Sequence, residues 1–227
     1  MKKFIALSSL LITSIVIPST HADVTFSSDL TAASSYVFRG IELSELTLHP
    51  SLEVAVDDFY IGIWAATPME KRDSMGYVDE VDFYAGYGVE LSSSTALDFG
   101  ATIYEYPSTD FDHTFEAFIG INSEIKGIGT GLYAFYDFDL EVITLVGSLG
   151  WSIPLETMGT SLDMGLSLGL VEPDAGSNYV YYGASAAVPF QVSEHVTITS
   201  SINWASHNLS GVEDNHFFFA LSFGFSE

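Results

Sequence analysis

The feature that most constrains this chain is a period-two alternation that recurs from one end to the other. Leu97, Phe99, Ala101 and Ile103 alternate with Asp98, Gly100, Thr102 and Tyr104. Leu162, Met164, Leu166, Leu168 and Leu170 alternate with Asp163, Gly165, Ser167 and Gly169, and Phe217, Phe219, Leu221, Phe223 and Phe225 alternate with His216, Phe218, Ala220, Ser222 and Gly224. Successive side chains in a strand point to opposite faces, so each segment has one apolar face and one small or polar face. Beyond residue 22 no window offers 18 continuous apolar residues, so the pattern is not that of membrane helices.

Segments of this kind fall at 24–39, 46–57, 59–67, 78–90, 96–106, 111–122, 127–137, 140–153, 161–171, 179–188, 195–206 and 216–225, an even set of twelve. Their connectors sort into two kinds. After even-numbered segments they are tight (Asp57-Asp58, Leu91 to Thr95, Ser123 to Lys126, Pro154 to Thr160, Phe190 to Glu194). After odd-numbered ones they are longer or more acidic: Glu42 and Glu45, Met69 to Tyr77, Ser108 to Asp110, Phe138-Asp139, Glu172 to Ser177, and His207 to Asn215. Short turns on one rim and longer loops on the other suit an outer-membrane barrel whose N-terminus lies in the periplasm. The fold class is therefore all-β: a single closed antiparallel transmembrane β-barrel of about 12 strands, spanning 23–227.

Residues 1–22 read as a cleaved signal peptide, with Lys2 and Lys3, an apolar run from Phe4 to Pro18, and Thr20-His21-Ala22 at its end. The chain carries 30 acidic and 6 basic residues, a formal charge of -24 that becomes -26 (4 minus 30) without Lys2 and Lys3. Such a surface repels nucleic-acid phosphates and makes cations the natural small partners. With no cysteine, neither disulfides nor thiolate metal sites arise, and no cofactor is implied.

The apolar face points to lipid on two grounds. Aromatics stand near segment ends (Tyr36, Phe38, Phe59, Trp151, Tyr182, Trp204, Phe225), and the opposite face is rich in glycine and poor in long charged side chains. Parity then sends Asp29, Arg39, Glu53, Glu80, Asp82, Asp98, Asp112, Glu116 and Asp163 into the lumen, with Tyr60, Trp64, Tyr84, Tyr104, Tyr133 and Tyr181. Carboxylates lining a narrow passage favour cations. Arg39, the strong base expected in the wall, is expected to cross to Glu80 or Asp82; it either shapes the passage or neutralises buried acids so that the barrel folds.

Ser35-Tyr36-Val37-Phe38-Arg39-Gly40 resembles the motif that opens the TorF family of porin-type proteins, the Gcw_chp domain of Gram-negative bacteria. Phe59 to Ala65, Glu80 to Tyr87, Asp98-Phe99-Gly100 and Tyr104 to Pro107 follow in the family's order. Ser35 stands where an acid is usual, and Glu105 where a neutral or aromatic residue is. The resemblance implies an outer-membrane β-barrel named a porin by its fold. It does not name a transported solute.

Phe218, Ala220, Phe223 and Phe225 resemble the aromatic signal read by the barrel-assembly machinery in a last strand. Outer-membrane lipid and lipopolysaccharide are the expected surroundings; the acids of the outer loops are of the type that holds Ca²⁺ or Mg²⁺ against lipopolysaccharide, but no twelve-residue calcium-loop spacing is present. An enzyme is not expected: Asp112 and His113 are neighbours that an extended chain points apart, and His207 with Ser206 or Ser210 matches no catalytic signature. The reading is a channel for passive diffusion of small solutes, with cations or neutral polar molecules favoured. Its rivals are a plugged structural or adhesive barrel acting through its outer loops, and a soluble periplasmic β-barrel enclosing an apolar ligand.

Overall fold

The computed structural model describes residues 24–69 and 79–227. The expected signal peptide and residues 70–78 of the second long connector lie outside the described residues. The strands are β1 (Val24–Ala33), β2 (Tyr36–Phe38), β3 (Ile41–Ser44), β4 (Thr47–Val56), β5 (Phe59–Pro68), β6 (Glu80–Ser92), β7 (Thr95–Glu105), β8 (Thr114–Ile125), β9 (Ile128–Asp137), β10 (Val142–Leu155), β11 (Thr160–Pro173), β12 (Tyr179–Gln191), β13 (Val196–His207) and β14 (Asn215–Ser226). β2 and β3 pair only with each other; β1 pairs with β4, each strand from β4 to β14 with the next, and β14 closes antiparallel onto β1, with Leu30 opposite Phe223. The result is a closed barrel of twelve strands with no free edge.

The alternation sets which face is outward. In β8, Phe115, Ile119 and Ile121 are exposed while Thr114, Glu116, Phe118 and Gly120 are buried. In β11, Leu166 and Leu168 are exposed and Asp163, Gly165, Gly169 and Val171 buried. A belt of exposed Leu, Ile and Phe around a closed barrel is the wall of a membrane-spanning protein of the outer-membrane type, since water would penalise so much apolar surface and lipid does not. The carboxylates turn inward, which rules out a soluble barrel enclosing an apolar ligand. Rim aromatics pair on the outside, as Phe26 with Phe225 at 6.3 Å and Tyr136 with Phe138 at 4.7 Å.

The first expected segment, 24–39, is not one strand. β1 stops at Ala33, and residues 34–46 form a hairpin of β2 and β3. Phe38 pairs with Ile41, so Arg39 and Gly40 make a two-residue turn, and both are left-handed (φ 48° and 84°), the type I′ pattern. Tyr36 and Val37 are buried, so Tyr36 and Phe38 belong to this hairpin and not to a lipid-facing girdle. The sixth segment also shortens: β8 begins at Thr114, leaving residues 111–113 in an exposed loop.

Several inward glycines exist to receive a tyrosine ring from the adjacent strand. A Cβ on Gly62 would overlap the phenol of Tyr84, and one on Gly86 the phenol of Tyr60; Gly120 lies under Tyr133 and Gly169 under Tyr181 in the same way. Each pair is directly opposed in register, so the ring lies flat across its neighbour strand. At Gly120 the added atom would strike the body of the Tyr133 ring at Cδ1, whereas at Gly88 the nearest atom is 3.9 Å away. Gly120→Ala is therefore expected to lose about 1–3 kcal/mol of stability by overpacking. Gly88→Ala should unfold like the parent chain, with urea unfolding in lipid vesicles as the measurement.

Candidate functional site

The hairpin 34–46 folds into the lumen and reaches across it. Near its base, Tyr36 packs against His49 of β4 and Trp64 of β5, with ring centroids 5.1 and 5.5 Å apart, and its hydroxyl donates to Glu80 of β6 at 2.7 Å. Phe38 lies beside Tyr104 of β7. Gly40 at the tip rests against the other side of the bore: a Cβ there would sit 2.7 Å from the Tyr181 Cβ of β12 and 3.2 Å from the His207 Cβ of β13. That approach and the positive φ both call for glycine.

Arg39 pins this crossing. Its Nη2 donates to both oxygens of Glu116 on β8, at 2.8 and 2.6 Å, and the side chains are only 11% and 2% exposed. The guanidinium stands 4.7 Å from the Phe38 ring centroid and 5.4 Å from that of Phe135, so two aromatic faces hold a cation already held by a carboxylate. The expected partners Glu80 and Asp82 are thus replaced by Glu116. The reason is topological: a residue on a hairpin tip reaches farther across the bore than one fixed in the wall.

Asp98, Glu53 and Glu116 also meet tyrosines. Tyr60 donates to Asp98 Oδ1 and Tyr133 to Asp98 Oδ2, both at 3.0 Å; Tyr84 donates to Glu53 at 3.0 Å, and Tyr104 to Glu116 at 2.9 Å. The glycine seats explain the reach. Tyr60 on β5 crosses Gly86 of β6 to Asp98 on β7, Tyr84 on β6 crosses Gly62 of β5 to Glu53 on β4, and Tyr133 on β9 crosses Gly120 of β8 to the same Asp98. Asp29 accepts from Thr31 at 2.5 Å. These hydroxyls are neutral donors, which add no positive charge to the lumen.

The structure brings Arg39, Glu80, Asp82, Tyr104 and Glu116 together toward the long-loop rim, where β6 and β8 begin and β7 ends. Glu53, Tyr84 and Asp98 form a separate group linked through Tyr84 and Tyr60, whose rings are 6.3 Å apart. Asp163 lies toward the short-turn rim opposite Ser152 and Ala187, with neither oxygen hydrogen-bonded among the described residues. Asp112 is a correction: it precedes β8, is exposed on the outer loop, and does not enter the lumen. The break at Pro107 to Asp112 ends the strand pattern before parity can apply. Phe218 and Ala220 sit on the inward parity of β14, and Phe223 and Phe225 on the outward one.

Sequence reasoning missed Asp137, which is 4% exposed and accepts from the backbone N–H of Asp139 and Leu140. Its parity matches that of Tyr133 and would have found it. His49, stacked on Trp64 at 4.9 Å, and Phe135, which faces Arg39, were also missed. Asp112 and His113 are both exposed, and His207 is buried beside the hairpin tip, accepting from the Leu209 backbone N–H at 3.1 Å.

The family described as "Bacterial protein of unknown function (Gcw_chp)" matches residues 18–203. No curated protein matches the sequence. Among solved structures, the KdgM porin aligns with a TM-score of 0.56 at 10% identity, covering 88% of this chain and 98% of that one. The NanC porin aligns at 0.57 and 9% identity, with 88% and 98% covered. The COG4313 outer membrane channel from Pseudomonas putida F1 aligns at 0.55 and 9% identity, with 93% and 100% covered. At such identities the likeness establishes a shared fold, that of outer-membrane channels.

Removing Arg39 would leave Glu116 buried without its cation. Arg39→Ala is expected to lose about 3–5 kcal/mol of stability. The double variant Arg39→Ala/Glu116→Gln should recover most of that loss, because the orphaned charge goes with its partner. Urea midpoints of the refolded barrels provide the comparison.

Proposed function

Because the chain belongs to the Gcw_chp family and carries the fold of outer-membrane channels, we propose that it is a channel for passive diffusion of small solutes, preferring cations. The long-loop rim faces outward from the cell in this reading, and the hairpin 34–46 narrows the passage as its first outer loop. Glu53, Glu80, Asp82, Asp98, Glu116 and Asp163, with Tyr84, Tyr104 and Arg39, are the proposed pore-lining set.

The observation that carries the preference is the pairing of the inner acids. Asp98 and Glu53 are satisfied by tyrosine hydroxyls, and of the two basic side chains in the described residues only Arg39 enters the lumen, Lys126 being exposed in a turn of the short-turn rim. Negative charge therefore exceeds positive along the bore, and a low-dielectric wall concentrates its field on whatever passes.

The hairpin also supports a second reading, in which the lumen is closed and the protein acts through its acidic outer loops, bound to lipopolysaccharide through divalent cations. Two further parts belong to the proposal: export by the leader 1–22, and recognition of Phe218, Ala220, Phe223 and Phe225 by the barrel-assembly machinery. No catalytic role is proposed.

Planar-bilayer recording separates the readings. Discrete conductance steps are expected, with a reversal potential in a KCl gradient displaced toward the potassium equilibrium potential; absence of steps supports the closed barrel, and displacement toward chloride contradicts the preference. Arg39→Ala frees the hairpin tip, so its single-channel conductance should rise above that of the parent.

A further inference from the structure

Asp82 differs from Glu80 and Glu116, the two acids grouped with it. Glu80 and Glu116 each accept a tyrosine hydroxyl, whereas Asp82, only 8% exposed, has an Oδ1 that no hydrogen-bond donor reaches among the described residues. Burying a carboxylate without a partner is costly, so its position needs a reason.

Its neighbours supply one. Asp82 is register-paired with Trp64 on β5 and with Tyr104 on β7, and all three side chains have inward parity. Neighbouring strands lie about 4.7–4.9 Å apart, so the carboxyl group is flanked on both sides by aromatic side chains in a single row. Tyr36 of the hairpin leans on Trp64 at 5.5 Å and covers the row from above Glu80.

An acid between aromatic faces is the environment that organic cations select, because ring quadrupole and carboxylate attract the same charge. The barrel already contains one example, the Arg39 guanidinium between Phe38, Phe135 and Glu116. A metal ion fits less well: hard cations take six or more oxygens, and the described residues contain no cluster of three His, Cys, Asp or Glu with metal-binding geometry.

We infer that the row Trp64, Asp82 and Tyr104 is a subsite for the head of an organic monocation, a guanidinium or alkylammonium group. The inference deepens the cation-preferring reading above and rests on it for the solute's access. The subsite supplies a charge-assisted hydrogen bond to Asp82 and, on either side of it, the side chains of Trp64 and Tyr104 for the flat or alkylated parts of the head. A small inorganic cation has no N–H to donate and gains only the attraction of the charge, so the row discriminates between organic and inorganic cations.

The test is a fluorescence titration of the full-length barrel refolded in detergent, with ethylguanidinium chloride as probe and sodium chloride at matched ionic strength as reference. A saturable change in tryptophan emission is expected with ethylguanidinium only. Asp82→Asn keeps the shape of the side chain and removes its charge; it should weaken the dissociation constant by about tenfold, the weight of one charged contact. Glu156→Gln, on the short-turn rim, should bind as the parent does, and Trp64→Phe should lose the signal. Equal responses to both salts, or an Asp82→Asn variant that binds as tightly as the parent, would overturn the inference. Binding is read without a current, so a barrel that conducts potassium but shows no saturable binding refutes the subsite alone, and one without conductance refutes the channel alone.

Discussion

The ion pair between Arg39 and Glu116 is the contact on which the interior depends. A wall of twelve strands encloses more space than its inward side chains fill, since barrels of about eight strands are filled by their own residues and those of sixteen or more hold open water. This chain places its first connection in that space. A hairpin crossing a bore has no ladder on either side to hold it, so its position is set by what its tip meets: Glu116 for Arg39, and the backs of Tyr181 and His207 for Gly40. The left-handed backbone at Arg39 is unfavourable for a side chain with a Cβ, and the two hydrogen bonds to Glu116 offset that cost.

The wall is built to match. Glycines at Gly62, Gly86 and Gly120 let tyrosines lie across an adjacent strand and reach an acid on the strand beyond. One device therefore does two things: the ring packs on bare backbone, and its hydroxyl satisfies a buried carboxylate. Lysine or arginine in the same places would also satisfy those acids, but would cancel their charge. With tyrosines, the barrel gains a packed, hydrogen-bonded interior without added positive charge, as the proposed preference for cations requires.

Most of this wall was legible in the sequence. Period-two parity alone sends Glu53, Glu80, Asp82, Asp98, Glu116 and Asp163 inward together with Tyr60, Trp64, Tyr84, Tyr104, Tyr133 and Tyr181, and the structure has each on that side. The hairpin was not legible, because Tyr36 and Phe38 alternate as a strand would and extend the pattern of β1 without a break. The clue is the pair Arg39-Gly40, two residues between short apolar stretches, but arginine is not among the residues that commonly mark a type I′ turn. Once Arg39 is assigned to the wall, its partner is sought at its own height, and the reach to Glu116 is lost. Seats such as Gly86 under Tyr60 were equally hidden, since a glycine on the lumen face reads as a small residue until the register across the sheet is known.

The chain contains no cysteine, so a tether between the hairpin tip and the far wall can be introduced cleanly. With Gly40 and His207 both replaced by cysteine, the ideal Cβ at 40 lies 3.2 Å from the Cβ at 207 and 2.7 Å from that of Tyr181, so the small retreat of the tip that clears Tyr181 also opens the pair to the roughly 3.5–4.5 Å that a disulfide spans. Oxidation of the folded barrel should join the two thiols and change its gel mobility, and reduction should reverse the change. Two thiols that stay free and fully reactive to maleimide in the folded barrel would show that the hairpin does not cross the lumen.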